Sequence, residues 1–165
     1  MLPIRRDLHF DLPAERITDW HEQGPFITHF FNALSLLFPQ GELFFMDSVR
    51  HYRSRIEDPA LKKQVLGFIG QEAMHSREHV AYNNLLHAAG LPARTLDRRL
   101  KFILDLQKKH CAPSFNLAIT IALEHYTAIL AEILLSDPSR FGASLKGYQQ
   151  MWYWHALEET EHKAV

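Results

Sequence analysis

Residues 154–162 of this chain read Trp154-His155-Ala156-Leu157-Glu158-Glu159-Thr160-Glu161-His162. In a helix, side chains three and four residues apart lie on one face, so His155, Glu159 and His162 would point into the same small volume. Two imidazoles and a carboxylate are typical ligands of a transition metal. The stretch therefore predicts a helix that presents part of a metal site.

A second Glu-x-x-His pair occurs upstream, at Glu72 and His75. Two single carboxylates, Glu42 and Glu124, stand on the apolar faces of two further predicted helices. An isolated buried carboxylate is very costly, and several together would repel one another. Because metal ions would remove both penalties, the four segments together predict a site for two metals.

Helical patterns recur along the whole sequence, and no strand-like alternation of apolar residues accompanies them. We predict an all-α protein of one domain, residues 1–165, with an irregular lead-in over residues 1–24 that includes a short helix from Ala14 to Trp20. The four predicted main helices are Pro25 to about Ile56, with a break or kink at Phe38-Pro39-Gln40-Gly41; Pro59 to Gly90, capped by Asp58; Ala112 to Leu135; and about Ser144 to the end. A more polar extra helix is predicted from Leu96 to Lys109.

The composition indicates which binding partners to exclude and which cellular compartment to expect. The chain of 165 residues has 18 basic and 19 acidic side chains, which gives no electrostatic case for nucleic acid or an anionic membrane. Its single cysteine, Cys111, excludes an intrachain disulfide framework. With no apolar segment behind the N-terminal arginines to act as a signal peptide, we expect a cytoplasmic protein.

The run from Phe115 to Leu135 is long and apolar enough to span a membrane. Glu124 and His125 lie at its middle, however, and a charge at the centre of a bilayer costs roughly 3 kcal/mol. We therefore expect the central helix of a soluble bundle, with Ile121 in its core, rather than a membrane span.

The order Glu42, Glu72-x-x-His75, Glu124, Glu159-x-x-His162 resembles the ferritin-like di-iron carboxylate superfamily, from about Pro25 to Val165. The resemblance implies a four-helix bundle with an extra short helix and two metal ions, iron first, with manganese or zinc as alternatives. It also implies that Glu72 and Glu159 bridge or chelate the metals, that Glu42 and Glu124 are terminal ligands, and that each histidine of the two pairs binds one metal.

His155 adds a third histidine, so the site resembles that of di-iron enzymes of the p-aminobenzoate N-oxygenase type. This resemblance implies O2-dependent oxidation of a small organic substrate such as an amine, supported by an electron donor, and it is our leading hypothesis. The stretches Phe38–Glu42, Gln71–His79 and Glu158–Lys163 also resemble the family described as predicted metal-dependent hydrolases, which implies attack by a metal-bound hydroxide. A third alternative is a non-enzymatic bundle that binds or stores metal.

Side chains beside the proposed ligands have open roles. His79, one turn beyond His75, is an eighth ligand, a partner of a ligand or a core histidine, and we favour the last two. Glu158 is either solvated or hydrogen-bonded to a ligand. Tyr148 and Trp152 continue the stripe of His155; we expect core packing, with the wall of a substrate pocket as the alternative.

His162 lies three residues before Val165, where a helix frays and holds a ligand poorly. We therefore expect the chain to be a fragment of a longer protein, with its fourth main helix truncated. Of partners, we expect a small-molecule substrate and a second copy in a homodimer, but neither nucleic acid nor membrane.

Overall fold

The computed structural model describes residues 2–142 and 144–162, and every regular element within them is helical. This confirms the predicted all-α bundle. The five α-helices are α1 (Pro25–Tyr52), α2 (Pro59–Ala88), α3 (Ala93–His110), α4 (Pro113–Ser136) and α5 (Lys146–Glu161). Short 3-10 turns occupy Ala14–Arg16, Arg53–Arg55 and Pro138–Phe141.

Two helix pairs build the bundle. Helix α1 packs along α2, α4 packs along α5, and α1 also contacts α4, while α3 lies mainly against α1. Along α2, Phe68 belongs to one apolar cluster and Tyr82 to another. The metal-ligand candidates of this helix lie between these two residues, so apolar packing holds the polar centre on both sides.

The ends of α2 follow from its sequence. Asp58 caps the start, where its carboxylate accepts a hydrogen bond of 2.8 Å from the backbone N–H of Ala60. Gly90 follows the helix with a φ of 82°, a left-handed conformation that glycine adopts at low cost. Both predicted boundaries are confirmed.

Of the predicted break or kink at residues 38–41, the break is wrong, because α1 runs through Pro39 without interruption. Proline has no N–H, so the carbonyl of Ser35 loses its usual helical partner. The side-chain Nδ2 of Asn83, on α2, donates a hydrogen bond of 2.9 Å to that carbonyl instead. The helix also ends at Tyr52 rather than near Ile56.

The lead-in lies across the bundle as a strap, with one 3-10 turn at Ala14–Arg16 in place of the longer helix predicted there. Gly67 and Gly147 permit its close approach to α2 and α5. A Cβ at either glycine would collide with a backbone carbonyl of the strap, that of Pro3 or of Asp11.

Helix α4 is less buried than predicted. Its inward face carries Asn116, Thr120, Ala128 and Ala131, whereas Ile121 is 61% exposed. The expectation that Ile121 lies in the core is therefore wrong, because small and polar residues take the inward positions. Among the described helices, α4 alone has the length and hydropathy to cross a membrane, and 17% of its apolar window is buried inside the bundle.

Helix α5 begins at Lys146, and His162 is the residue that follows its last turn. The predicted continuation to the end of the chain falls on residues 163–165, which lie outside the described residues.

Candidate metal centre

Four of the helices bring the seven predicted ligands together. In four overlapping groups, each residue offers a ligand atom within 4.8 Å of the others. The groups are Glu42, His79 and His155; His75, His155 and Glu159; Glu42, Glu72 and His75; and Glu72, Glu124 and His162. Every predicted ligand is therefore part of one cluster, and His79 joins it.

His162 defines one side of the centre. Its Nδ1 lies 2.8 Å from Glu124 Oε2, 3.2 Å from Glu72 Oε1 and 3.6 Å from Glu159 Oε2. One imidazole nitrogen thus faces three carboxylates from three different helices.

His75 and His155 define the other side. The Nδ1 of His75 lies 3.9 Å from Glu72 Oε2 and 3.6 Å from Glu159 Oε1, and His155 Nε2 lies 3.0 Å from the same Glu159 oxygen. Glu72 and Glu159 each place one oxygen on this side and the other near His162. That arrangement suits the bridging role that the ferritin-like resemblance implies for them.

Several buried atoms of the cluster have no hydrogen-bond partner. They are both carboxylate oxygens of Glu42 and of Glu72, Oε1 of Glu124 and Nδ1 of His75. Buried polar atoms are nearly always hydrogen-bonded, so a convergent set of unpaired ones needs an explanation. Mixed carboxylate and imidazole donors fit iron, manganese or zinc, and a bound metal would satisfy these atoms.

The electrostatics of the cluster point the same way. Burial, reinforced by nearby carboxylates, raises the pKa of Glu42 and Glu72 well above the usual range and that of Glu124 to about 7. Burial also opposes ionisation of Glu159, but the charge of His162 and a hydrogen bond from His155 outweigh it and lower its pKa. The centre therefore holds more carboxylates than its own cations can neutralise.

A chain of hydrogen bonds orients His155. The hydroxyl of Ser35 donates to Asn83 Oδ1, so its oxygen accepts from Nδ1–H of His79 at 2.9 Å. The Nε2 of His79 then accepts from Nδ1–H of His155 at 2.7 Å. This turns Nε2 of His155 towards the centre, where it lies 3.0 Å from Glu159 Oε1.

The other two histidines are also oriented from outside. His75 Nε2 lies 3.0 Å from Glu158 Oε2, and His162 Nε2 lies 3.2 Å from Gln71 Oε1. Both contacts keep Nδ1 turned towards the carboxylates. The sequence analysis did not single out Gln71 as a partner of a ligand. A signal for it exists, since each Glu-x-x-His pair is directly preceded by a long polar residue, Gln71 or Glu158.

The structure distinguishes the four side chains whose roles the sequence left open. His79 and Glu158 contact predicted ligands, His155 and His75 respectively. Trp152 lies beside His79 and His155, whereas Tyr148 stacks on Trp20 in the apolar core, away from the cluster. Core packing therefore describes Tyr148, and Trp152 belongs to a pocket wall.

An apolar pocket of about 330 Å³ opens beside the cluster. Helices α1, α4 and α5 line it, through Phe30, Phe31, Leu34, Phe38, Leu130, Leu134 and Trp152. Thr127, His155 and Glu159 contribute its polar surface next to the centre, and the Thr127 hydroxyl donates a hydrogen bond of 2.6 Å to Glu159. A molecule in this pocket would touch two predicted metal ligands.

Comparison with known protein families gives a match over residues 4–165, to the family described as "Predicted metal-dependent hydrolase". No curated protein and no solved structure matches the chain. The family match therefore covers most of the strap, the whole ligand cluster and the pocket.

Proposed function

Because this chain belongs to the predicted metal-dependent hydrolase family, we propose that it is a two-metal hydrolase that acts on a small, largely apolar molecule. One observation carries the proposal: His155 and Glu159 belong both to the ligand cluster and to the wall of the apolar pocket. A substrate in that pocket would lie directly beside the metals. Membership of this family favours hydrolysis over O2-dependent oxidation.

In this proposal the residues would have distinct roles. Glu42, Glu72, His75, Glu124, His155, Glu159 and His162 would hold the metals. When bound, two metals supply Lewis acidity and lower the pKa of a coordinated water, as hydrolysis of an ester, amide or phosphate requires. Phe38 and Trp152 would orient the apolar part of the substrate and exclude bulk water, and Thr127 would hold Glu159 in place.

O2-dependent oxidation is the second candidate, and His155 is the observation that favours it. A third imidazole makes one side of the centre richer in nitrogen than the two Glu-x-x-His pairs alone would. The same apolar pocket would then hold an organic substrate such as an amine, and the reaction would need two iron ions and an external electron donor.

The requirement for oxygen separates the two reactions. We would load metal-free protein with zinc, manganese or ferrous iron, verify about two metals per chain by elemental analysis, and assay ester, amide and phosphate substrates with apolar groups. Turnover without oxygen or reductant is the result expected of a hydrolase. Turnover only with iron, reductant and consumed oxygen would replace hydrolysis by oxidation, and bound metal with neither activity would leave a metal-binding bundle.

Glu159→Ala tests whether the cluster holds the metal. We expect this variant to lose most of its bound metal and all activity, because Glu159 faces the three histidines predicted as ligands. Leu157→Ala is the matched control, since Leu157 lies on the same helix and is 47% exposed. Full metal content in Glu159→Ala would contradict the proposed centre.

A further inference from the structure

An arginine of the N-terminal strap reaches the outer partners of two metal-ligand histidines. Resting on the proposed metal centre, we propose that Arg6 is a positioning residue that fixes His75 and His162 together. Arg6 precedes Glu158 by 152 residues, and no motif connects them, so only the fold reveals this arrangement.

The first connection passes through Glu158. Arg6 Nη1 donates a hydrogen bond of 3.0 Å to Glu158 Oε1, and the other oxygen, Oε2, lies 3.0 Å from His75 Nε2. Glu158 therefore uses one oxygen for the guanidinium and the other for the imidazole. With its N–H committed to Glu158, His75 presents Nδ1 to Glu72 and Glu159.

The second connection passes through Glu161 and Gln71. Arg6 Nη2 donates a hydrogen bond of 2.7 Å to Glu161 Oε1, and Gln71 Nε2 donates one of 2.8 Å to Glu161 Oε2. This fixes the amide of Gln71, whose Oε1 then accepts from His162 Nε2 at 3.2 Å. His162 in turn presents Nδ1 to the carboxylates of the centre.

Charge makes Arg6 more than a packing residue. Glu158 and Glu161 are buried, with 0% and 4% of their side chains exposed. Among the described residues, Arg6 is the only lysine or arginine within 4.0 Å of either carboxylate. Without it, the two buried carboxylates would lose the cation that fixes their orientation, and both would turn. Glu158 would then release His75, and Glu161 would release Gln71, the partner of His162.

The strap has an independent attachment that supplies the control. Arg77 of α2 binds Asp7 and the carbonyl of Leu8, next to Arg6 in the chain, and also Glu78, and none of these three holds His75 or His162. Arg77→Ala should loosen the strap and leave both connections to the histidines intact. Arg6→Ala removes both connections and leaves the Arg77 contact in place.

Metal affinity is the readout, since it does not depend on which reaction the protein catalyses. Metal-free protein would be titrated with Mn²⁺ or Zn²⁺ by calorimetry, with the number of bound metals counted. We expect Arg6→Ala to bind about 10- to 100-fold more weakly at both metal positions, the range typical of lost outer partners of metal ligands. We expect Arg6→Lys to show a partial loss, because an ammonium keeps the charge but not the two-pronged geometry.

A double-mutant cycle identifies the route. If Arg6 acts on His75 through Glu158, then Arg6→Ala combined with Glu158→Gln should weaken binding by less than the product of the two single effects. If the double variant loses affinity by the full product of the two single losses, the proposal is overturned. Wild-type metal affinity in Arg6→Ala, or an equal loss of metal affinity in Arg77→Ala, would also overturn it. If Arg6→Ala does not fold, Arg6→Lys with unchanged affinity overturns it.

The outcomes also separate this inference from the proposed function. Wild-type protein that binds no metal overturns both. Metal-binding protein in which Arg6→Ala matches wild type overturns the role of Arg6 alone. Weakened metal binding in Arg6→Ala supports that role even if the protein hydrolyses nothing.

Discussion

Glu42 shows most clearly what a metal ion contributes to this protein. Its side chain is buried, neither carboxylate oxygen has a hydrogen-bond partner, and burial together with Glu159 and Glu124 raises its pKa. In the metal-free protein this residue opposes folding, whereas in the metal-bound protein that we propose the same oxygens would become ligands. Its effect on stability therefore depends on the metal.

That dependence predicts opposite effects of one substitution. Glu42→Gln should stabilise the metal-free protein by about 1 kcal/mol or more, because it removes a buried unpaired acid, and raise its melting temperature by several degrees. The same variant should gain less stability from added metal than wild type does. Thermal denaturation in chelator and in excess Mn²⁺ measures both.

Glu57→Gln is the control, because this carboxylate is exposed and outside the cluster. It should change neither melting temperature appreciably. A Glu42→Gln variant that loses stability without metal would show that Glu42 has a partner which the geometry does not reveal.

Single residues also show how far sequence alone reaches. The spacing of the two Glu-x-x-His pairs, with Glu42, Glu124 and His155, predicted a set of side chains that the structure brings together, because helical periodicity determines which residues share a face. Arg6 and Ser35 could not be predicted, since their contacts depend on how distant segments pack. Gln71 lies between these cases, because its place before Glu72 repeats that of Glu158 before Glu159.

At the scale of the helix, α1 is continuous through a proline because α2 replaces the missing hydrogen bond. From sequence, Pro39 predicts a break or a kink, since proline leaves a carbonyl without a donor. Asn83 supplies that donor from another helix, which local sequence cannot reveal. For the same reason the low burial of α4 could not be predicted: its apolar composition resembles that of a core helix, and only packing decides which side faces inward.

The role of Asn83 in the continuity of α1 can be tested by substituting Asn83 and Pro39, separately and together. Asn83→Ala should destabilise the protein by about 1–3 kcal/mol, because the buried carbonyl of Ser35 loses its donor. Pro39→Ala restores the backbone N–H, so Asn83→Ala should cost less in that background. Chemical denaturation of the four proteins in the cycle measures the difference.

Equal costs of Asn83→Ala in both backgrounds would show that Asn83 stabilises the protein mainly through the Ser35 hydroxyl, which also bonds to it. Gln40→Ala is the matched control, because Gln40 directly follows Pro39 and its side chain donates a hydrogen bond to Asp97 rather than to the Ser35 carbonyl. Gln40→Ala should lower the free energy of unfolding by the same amount in the wild-type protein and in the Pro39→Ala background.

At the scale of the whole molecule, the bundle holds a cluster of acids that its own cations do not balance, and this predicts how stability depends on pH. Above the ordinary histidine pKa of 6.5, His75 and His79, whose pKa values are lowered by burial, are neutral in both the folded and unfolded states. Glu42, Glu72, Glu124 and His162 have raised pKa values in the folded state. The folded protein therefore binds more protons than the unfolded chain.

The sign of the effect follows from that excess of protons. The free energy of unfolding of metal-free protein should fall as pH rises from about 6.5 towards 9, by about 1.4 kcal/mol per pH unit for each extra proton held by the folded state. Metal ions displace these protons, so the metal-bound protein should lose little stability over the same range, and metal affinity should rise with pH. Urea denaturation at several pH values, with chelator and with Mn²⁺, measures both slopes. Glu42→Gln should make the free energy of unfolding of metal-free protein fall less steeply with pH. If this free energy stays constant or rises with pH in wild-type protein without metal, the carboxylates of the cluster are already ionised and paired. The case for a metal among them would then be lost.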